Sequence, residues 1–345
     1  MTDGIKHAGV ELQGNTQTSV FGLSYNNYSG DGYSGGYLAI PTNFLSRKYN
    51  IPSFKPYNEI GNSLIALTPI ENSTIVNIHI KTESGSLTFE NRQYSSNEII
   101  TTVINKYDTL EISHSSDLTG TFINSSSPLA VVSGNKCNYI HRQAGCNTFI
   151  EMVLPIEQLD QSYIVPYIET RGISTVRLLS LNDSSFTINN SIKNTMVKQN
   201  SARKFFDFSH STISYVHSSN DISVTIYPHE LANREGDAFM MTAHGVNQYL
   251  PQYDFVVPRG FTSFISITIK TSELHGFKLD GQNVITKHVY TLSTESGTYS
   301  SFAMPITSGE HNITHVKKTE FGLWVYGNAP LDAYGYPAGI KFRAV

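Results

Sequence analysis

"SFISITIK", residues 263–270, decides the fold. In an extended chain Phe264, Ser266 and Thr268 fall opposite Ile265, Ile267 and Ile269, the period-2 alternation of a strand with one apolar and one polar face. "STIVNIHIK" (73–81) repeats the pattern, with Ile75, Asn77 and His79 opposite Val76, Ile78 and Ile80. "DISVTIYP" (221–228) and "FGLWVYG" (321–327) are further strands. Turn signals such as Asn-Asp, Ser-Gly and "LDGQN" (279–283) separate them. Long helical periodicity is absent. The best helical candidates are short, "PIEQLDQSY" (155–163) and "GVNQYLPQY" (245–253). The chain therefore reads as all-β, with antiparallel sheets that keep one solvated side.

Composition agrees. The 345 residues have room for two or three units, and only 15% are charged, with a net charge of -4. Lys and Arg form no basic stripe, so nucleic acid is not an expected partner. No apolar run approaches the ~20 residues of a membrane helix, so membrane insertion is not expected. The start, "MTDGIKHAGVELQ", lacks a charged region followed by an apolar core and does not read as a signal peptide.

Three segments align without gaps: "PTNFLSRKYNIP" (41–52), "PIEQLDQSYIVP" (155–166) and "GVNQYLPQYDFV" (245–256). A bulky residue stands four places after each first position (Leu45, Leu159, Tyr249), and a tyrosine stands eight places after it (Tyr49, Tyr163, Tyr253). A glycine and an apolar stretch precede each segment. An apolar strand closes the region after each: "PLAVVSG", "ISVTIYP" and "FGLWVYG". The pattern predicts three related antiparallel β-sandwich-like modules packed together, at 1–138, 139–233 and 234–345, with propeller-like closure as the structural alternative.

The repeat also bears on "SGDGYSGGYLAIP" (29–41), which matches both G-x-G-x-x-G and G-x-S-x-G around Ser34. The first pattern needs a βαβ unit and the second a strand–turn–helix elbow. Here a Tyr/Asn-rich stretch precedes, Pro41 follows closely, and the other two repeats carry neither glycine fingerprint nor serine. The expectation is a turn-forming loop without catalysis, its glycines supplying positive φ.

Other chemistry is sparse. Cys137 and Cys146 are compatible with a local disulfide, a metal site that includes His141, or two free thiols; their isolation and closeness favour the disulfide. The twelve histidines form no zinc-binding helix motif, and His210 and His217 read as exposed. The carboxylates form no dense calcium loop or glycosidase pair. No metal, cofactor or catalytic residue is assigned, and the chain reads as non-enzymatic. Asn-x-Ser/Thr occurs at Asn27, Asn72, Asn124, Asn182, Asn189 and Asn312, about as often as so much Asn, Ser and Thr would produce. Asp31, Tyr33 and Tyr37, with Asp332, Tyr334 and Tyr336 in "NAPLDAYGYPAG" (328–339), combine carboxylates with aromatic platforms and are the binding candidates.

"DLTGTFINSSSPLAVVSGNKC" (117–137), "GDAFMM" (236–241) and "FGLWVYGNAPLDAYGYPAG" (321–339) carry a likeness. Together and in this order they resemble the N-terminal domain of the IgG-Fc-binding protein family, which is named for a mucus-associated secreted protein. The likeness spans roughly Val20 to Phe342. It implies an extracellular, non-enzymatic domain, and it supports pairing Cys137 with Cys146. The function expected is binding or adhesion to protein or glycoprotein, with a multivalent carbohydrate-binding lectin as the alternative. The expected partners are accordingly a glycoprotein or glycan, and a further copy of the chain as a homo-oligomer.

Overall fold

The computed structural model describes residues 4–343 except 17, 29–30, 58–60, 142–144, 191–193 and 199–203, and only the backbone of 26–28, 31, 190, 194–198 and 233. The chain is all-β, and every named strand pair is antiparallel. In chain order the strands are β1 (Gly4–His7), β2 (Phe21–Tyr28), β3 (Asp31–Leu38), β4 (Ser46–Asn50), β5 (Ser63–Pro69), β6 (Thr74–His79), β7 (Leu87–Phe89), β8 (Arg92–Tyr94), β9 (Ile99–Ile104), β10 (Asp108–His114) and β11 (Phe122–Asn138). Then come β12 (Asn147–Met152), β13 (Asp160–Val165), β14 (Ser174–Ser180), β15 (Ser185–Asn190), β16 (Asn194–Lys198), β17 (Phe205–His210) and β18 (Ser214–Pro228). The last are β19 (Met241–Ala243), β20 (Gln252–Val257), β21 (Thr262–Lys270), β22 (Phe277–Leu279), β23 (Gln282–Asn283), β24 (Tyr290–Thr294), β25 (Gly297–Ile306), β26 (Gly309–His315), β27 (Gly322–Ala329) and β28 (Asp332–Pro337).

Apart from the two-stranded hairpins β2–β3 and β7–β8, these strands form three pairs of facing sheets. In the first, β4–β11–β6–β9 faces β1–β10–β5–β11–β12. Ile78, Ile100 and Ile104 from one side share a core with Ile65, Leu67, Leu110 and Ile112 from the other. The long strand β11 belongs to both sheets and changes register between Asn124 and Leu129. In the second, β18 has the same double role, joining β13–β18–β15–β16 to β17–β14–β18–β19. The third pairs β20–β26–β22–β23 with β24–β25–β21–β27–β28. Each is a two-layer sandwich rather than a propeller blade.

The aligned tyrosines do the same job three times. The two stretches expected as short helices, and their counterpart after Pro41, are three-residue 3₁₀ turns (Thr42–Phe44, Ile156–Gln158, Val246–Gln248), each followed by a strand. The strand's tyrosine then points back. Tyr49 accepts the Ser46 N–H at 2.9 Å and donates to the Leu129 carbonyl at 2.6 Å. Tyr163 accepts the Asp160 N–H at 2.9 Å and donates to the Ile222 carbonyl. Tyr253 accepts the Leu250 N–H at 3.1 Å and donates to the Phe321 carbonyl at 2.5 Å. In the first two cases the acceptor lies where the long strand passes from one sheet to the other. In the third it lies just before β27.

The polar face of 263–270 is not solvated as its alternation suggested: residues 263–269 are all buried. The Ser266 hydroxyl donates to the Tyr167 carbonyl, and Ser301, which accepts from Thr268 at 3.2 Å, also accepts the Tyr167 N–H at 2.9 Å, so the polar face packs against the second sandwich. The reverse holds for 73–81. There Ile75 is 47% exposed on an outward face. "LDGQN" is a hairpin turn, with Asp280 and Gly281 both at positive φ (50° and 78°). His210, expected to be exposed, is buried. Its ring nitrogens lie 2.7 Å from the Ser214 hydroxyl and 2.8 Å from the Pro166 carbonyl.

Candidate functional site

The glycine-rich stretch is strand β3, paired with β2, so the expected loop is a strand. None of Gly32, Gly35 and Gly36 has positive φ. Their smallness is used for close packing instead. A Cβ on Gly35 would lie 2.5 Å from Ile150 Cγ2 and 2.9 Å from the Thr148 carbonyl oxygen, and one on Gly36 would overlap the Tyr336 ring. β3 therefore lies flush against β12 and β28, and β19 packs on β28 in turn. Strands from all three sandwiches meet at this hub.

Asn147 ties the hub together. Its Oδ1 accepts the Ser34 N–H at 2.7 Å and the Thr148 N–H at 2.9 Å. Its Nδ2 donates to the Ala238 and Ala333 carbonyls at 3.0 and 2.7 Å. Ser34 donates its hydroxyl to Asp332 at 2.8 Å and is fully buried. This serine holds a strand in place. Burial pushes the Asp332 carboxyl up from its ordinary pKa, against the hydrogen bonds from Ser34 and the Ala333 N–H. Glu151 on β12 is also buried, accepting the Thr242 N–H at 2.7 Å, and desolvation raises its pKa well above the usual carboxylate value.

Two buried arginines bolt the sandwiches together. Arg177 of β14 makes a paired contact with Asp207 (2.8 and 2.7 Å), and reaches Asp117 at 3.0 Å, Thr119 at 2.9 Å and the Ser53 carbonyl at 2.7 Å. Its guanidinium lies 4.9 Å from the Phe54 ring centre and 4.1 Å from that of Phe205. Burial works against the charge, but Asp207 and Asp117 outweigh it and hold the pKa above the ordinary arginine value. Arg171 donates to the His229 and Asp237 carbonyls at 2.5 and 2.8 Å and to Asn328 Oδ1. Desolvation lowers its pKa to about 10. The motifs at 117–137, 236–241 and 321–339 thus supply the partners of these seams: Asp117, Thr119, Asp237 and Asn328.

The binding candidates are divided by this geometry. Tyr334 is fully buried, with its hydroxyl 2.9 Å from that of Ser263. Tyr336 is 2% exposed and donates to the Val256 carbonyl, and Asp332 is 5% exposed. These three side chains face the interior. Tyr33 and Tyr37 on β3 are half-buried, and Tyr37 lines a 630 Å³ cavity together with residues 10–14, 16 and 18. The Asp31 side chain lies outside the described residues. Cys137 and Cys146 form a disulfide, Cα atoms 5.1 Å apart, which closes the link from β11 to β12. Among the described residues no three His, Cys, Asp or Glu side chains are grouped to hold a metal ion.

A surface groove missed from the sequence lies at the seam of the second and third sandwiches and encloses 590 Å³. Phe264, Leu279, Ala303 and Met304 supply apolar lining, and Glu169, Gln282, Asn283 and Lys287 supply polar groups. Glu169 is positioned by its backbone N–H, which donates to Tyr326 at 2.6 Å. The Tyr326 ring stacks under Phe264, with centres 5.7 Å apart. Ile285 at the same groove is 78% exposed. Charged and amide side chains thus border an apolar lining. No sequence signal marks the site, because Glu169 is far along the chain from its neighbours in the groove, 264–305.

Comparison with known proteins agrees with the motifs. Residues 35–327 match the family described as IgGFc binding protein, and the chain belongs to that family. The human IgGFc-binding protein is 24% identical over 269 residues, which is 74% of this chain and 5% of that protein. The chain thus spans about a twentieth of the curated relative's length. Among the described residues no helix is long and apolar enough to cross a membrane.

Proposed function

We propose that this chain is an extracellular, non-enzymatic adhesion module that recognises protein or glycoprotein, with the seam groove as its contact surface. The observation that carries the reading is the groove itself. A buried to half-buried apolar lining with the exposed Ile285 at its edge is flanked by Glu169 and Lys287, while the hub's polar side chains are buried and spent on holding strands. A partner loop with an apolar anchor and charges on both sides fits this chemistry. The units near 1–138, 139–233 and 234–345 serve as a rigid scaffold, their seams fixed by Arg177 and Arg171.

The lectin alternative draws support from the half-buried Tyr33 and Tyr37 alone. The test is to immobilise the purified chain and probe it with a panel of extracellular proteins. IgG Fc comes first, since the human relative's name gives it as that protein's ligand. Saturable binding unaffected by excess simple saccharides is expected. Binding that saccharides abolish, or selective signals on a glycan array, would replace this reading with the lectin.

A further inference from the structure

We infer that the outer edge of β9, which pairs with no strand among the described residues, pairs with the β9 edge of a second copy of this chain, joining two four-stranded sheets into one. β9 ends the order β4–β11–β6–β9, and its sequence "IITTVI" contains no charge, proline or glycine. Edge strands are ordinarily guarded by such residues. The opposite edge of the same sheet is guarded, since β4 exposes Arg47 and Lys48. The nearest acid, Glu98, is held outside the strand, accepting the Ser95 N–H at 2.5 Å with Arg92 3.7 Å away.

The ladder shows which backbone groups are presented. Ile80 donates to the Glu98 carbonyl at 3.0 Å, and Glu98 is followed by the pairs Ile78–Ile100, Val76–Thr102 and Thr74–Ile104. Even-numbered residues of β9 therefore turn their N–H and C=O toward β6. Ile99, Thr101 and Val103 turn theirs toward the open edge. The side chains of these same three residues are exposed on the outer face, Ile99 at 47% and Val103 at 54%. Ile75, also exposed, stands directly opposite Val103 and widens the apolar row.

This row is complementary to itself. A twofold axis through Thr101 places Thr101 against its own copy and Ile99 against the other copy's Val103. All three residues then exchange both backbone hydrogen bonds, and aliphatic groups meet aliphatic groups on the outer face. Beyond the strand, Asn97 falls opposite Asn105 and Ser96 opposite Lys106, so no like charges meet. A heterologous partner would have no reason to match this symmetry, which is why a second copy is the occupant assigned. The short strand makes a small interface, so the dimer is weak and depends on concentration. This inference does not depend on the groove.

The experiment is light scattering on the purified chain across about 1–200 µM, where weak interfaces dissociate. The expected result is a monomer–dimer equilibrium in the wild type. V103K and T101K change exposed side chains and keep the melting temperature, and each should weaken association by about tenfold or more. T101C should form a disulfide-linked dimer on mild oxidation, since paired strands bring the two Cα atoms to about 5.5 Å. A wild type that stays monomeric throughout overturns the inference. So does a dimer that survives both lysine variants, or T101C that stays monomeric under oxidation.

Discussion

Tyr163 shows how one side chain sets the course of a strand. Its hydroxyl accepts one backbone N–H and donates to the carbonyl of Ile222, where β18 turns from one sheet to the next. Tyr163→Phe keeps the ring and leaves both backbone groups buried and unpaired. Chemical denaturation should show a loss of about 1–3 kcal/mol. Glu151 tests a different term. Its folded-state pKa lies above the ordinary carboxylate value, so the folded chain holds a proton that the unfolded chain releases as pH rises. The stability it contributes is complete below the unfolded pKa of 4.5 and is lost as pH climbs through the folded value. Glu151→Gln retains an acceptor for the Thr242 N–H and removes the titration. Melting curves should show the variant gaining on the wild type as pH rises from 4.5 to 8, and a constant gap between the two would contradict this. The repeated tyrosines were legible because spacing alone reveals them. Asn147 was not, since its importance comes from carbonyls at 238 and 333 that only the fold brings near.

At the level of elements, strands with strong alternation were readable, and β3 was not. Its glycines lower strand propensity, and the reason for them lies in the neighbours Ile150, Thr148 and Tyr336. Gly35→Ala would drive a methyl group into a β12 backbone carbonyl. A destabilisation of about 1–3 kcal/mol is expected from overpacking, measured by denaturant midpoint. An unchanged midpoint would mean that β3 is not packed as tightly as described. The alternation of 263–270 located a strand correctly but gave its polar face to solvent. A sequence of Ser and Thr cannot show whether water or another sheet receives its hydroxyls. The same ambiguity made Tyr334 and Tyr336 candidates for ligand contact, although both hydroxyls are used inside.

At the scale of the whole molecule, the three sandwiches are joined by a shared hub, by Arg177 and Arg171, and by a core that mixes Val224 and Phe239 with Trp324 and Tyr326. The motifs that carry the family likeness also supply the partners of these seams, which is why the likeness was visible in the sequence while the groove was not. The groove depends on how the second sandwich offers Glu169 to the third. The most direct test of the account is binding of an extracellular protein partner, found in the panel above, to chains carrying Met304→Asp or Lys287→Glu. Lys287→Glu changes an exposed side chain and should weaken binding at least about tenfold while the melting temperature holds, about 1.4 kcal/mol at a contact centre. Met304→Asp also packs a charge against the core and is read alongside Ile285→Asp, at a residue that is 78% exposed. Undiminished binding by the folded Lys287→Glu and Ile285→Asp variants would contradict the account and move the contact surface elsewhere on the molecule.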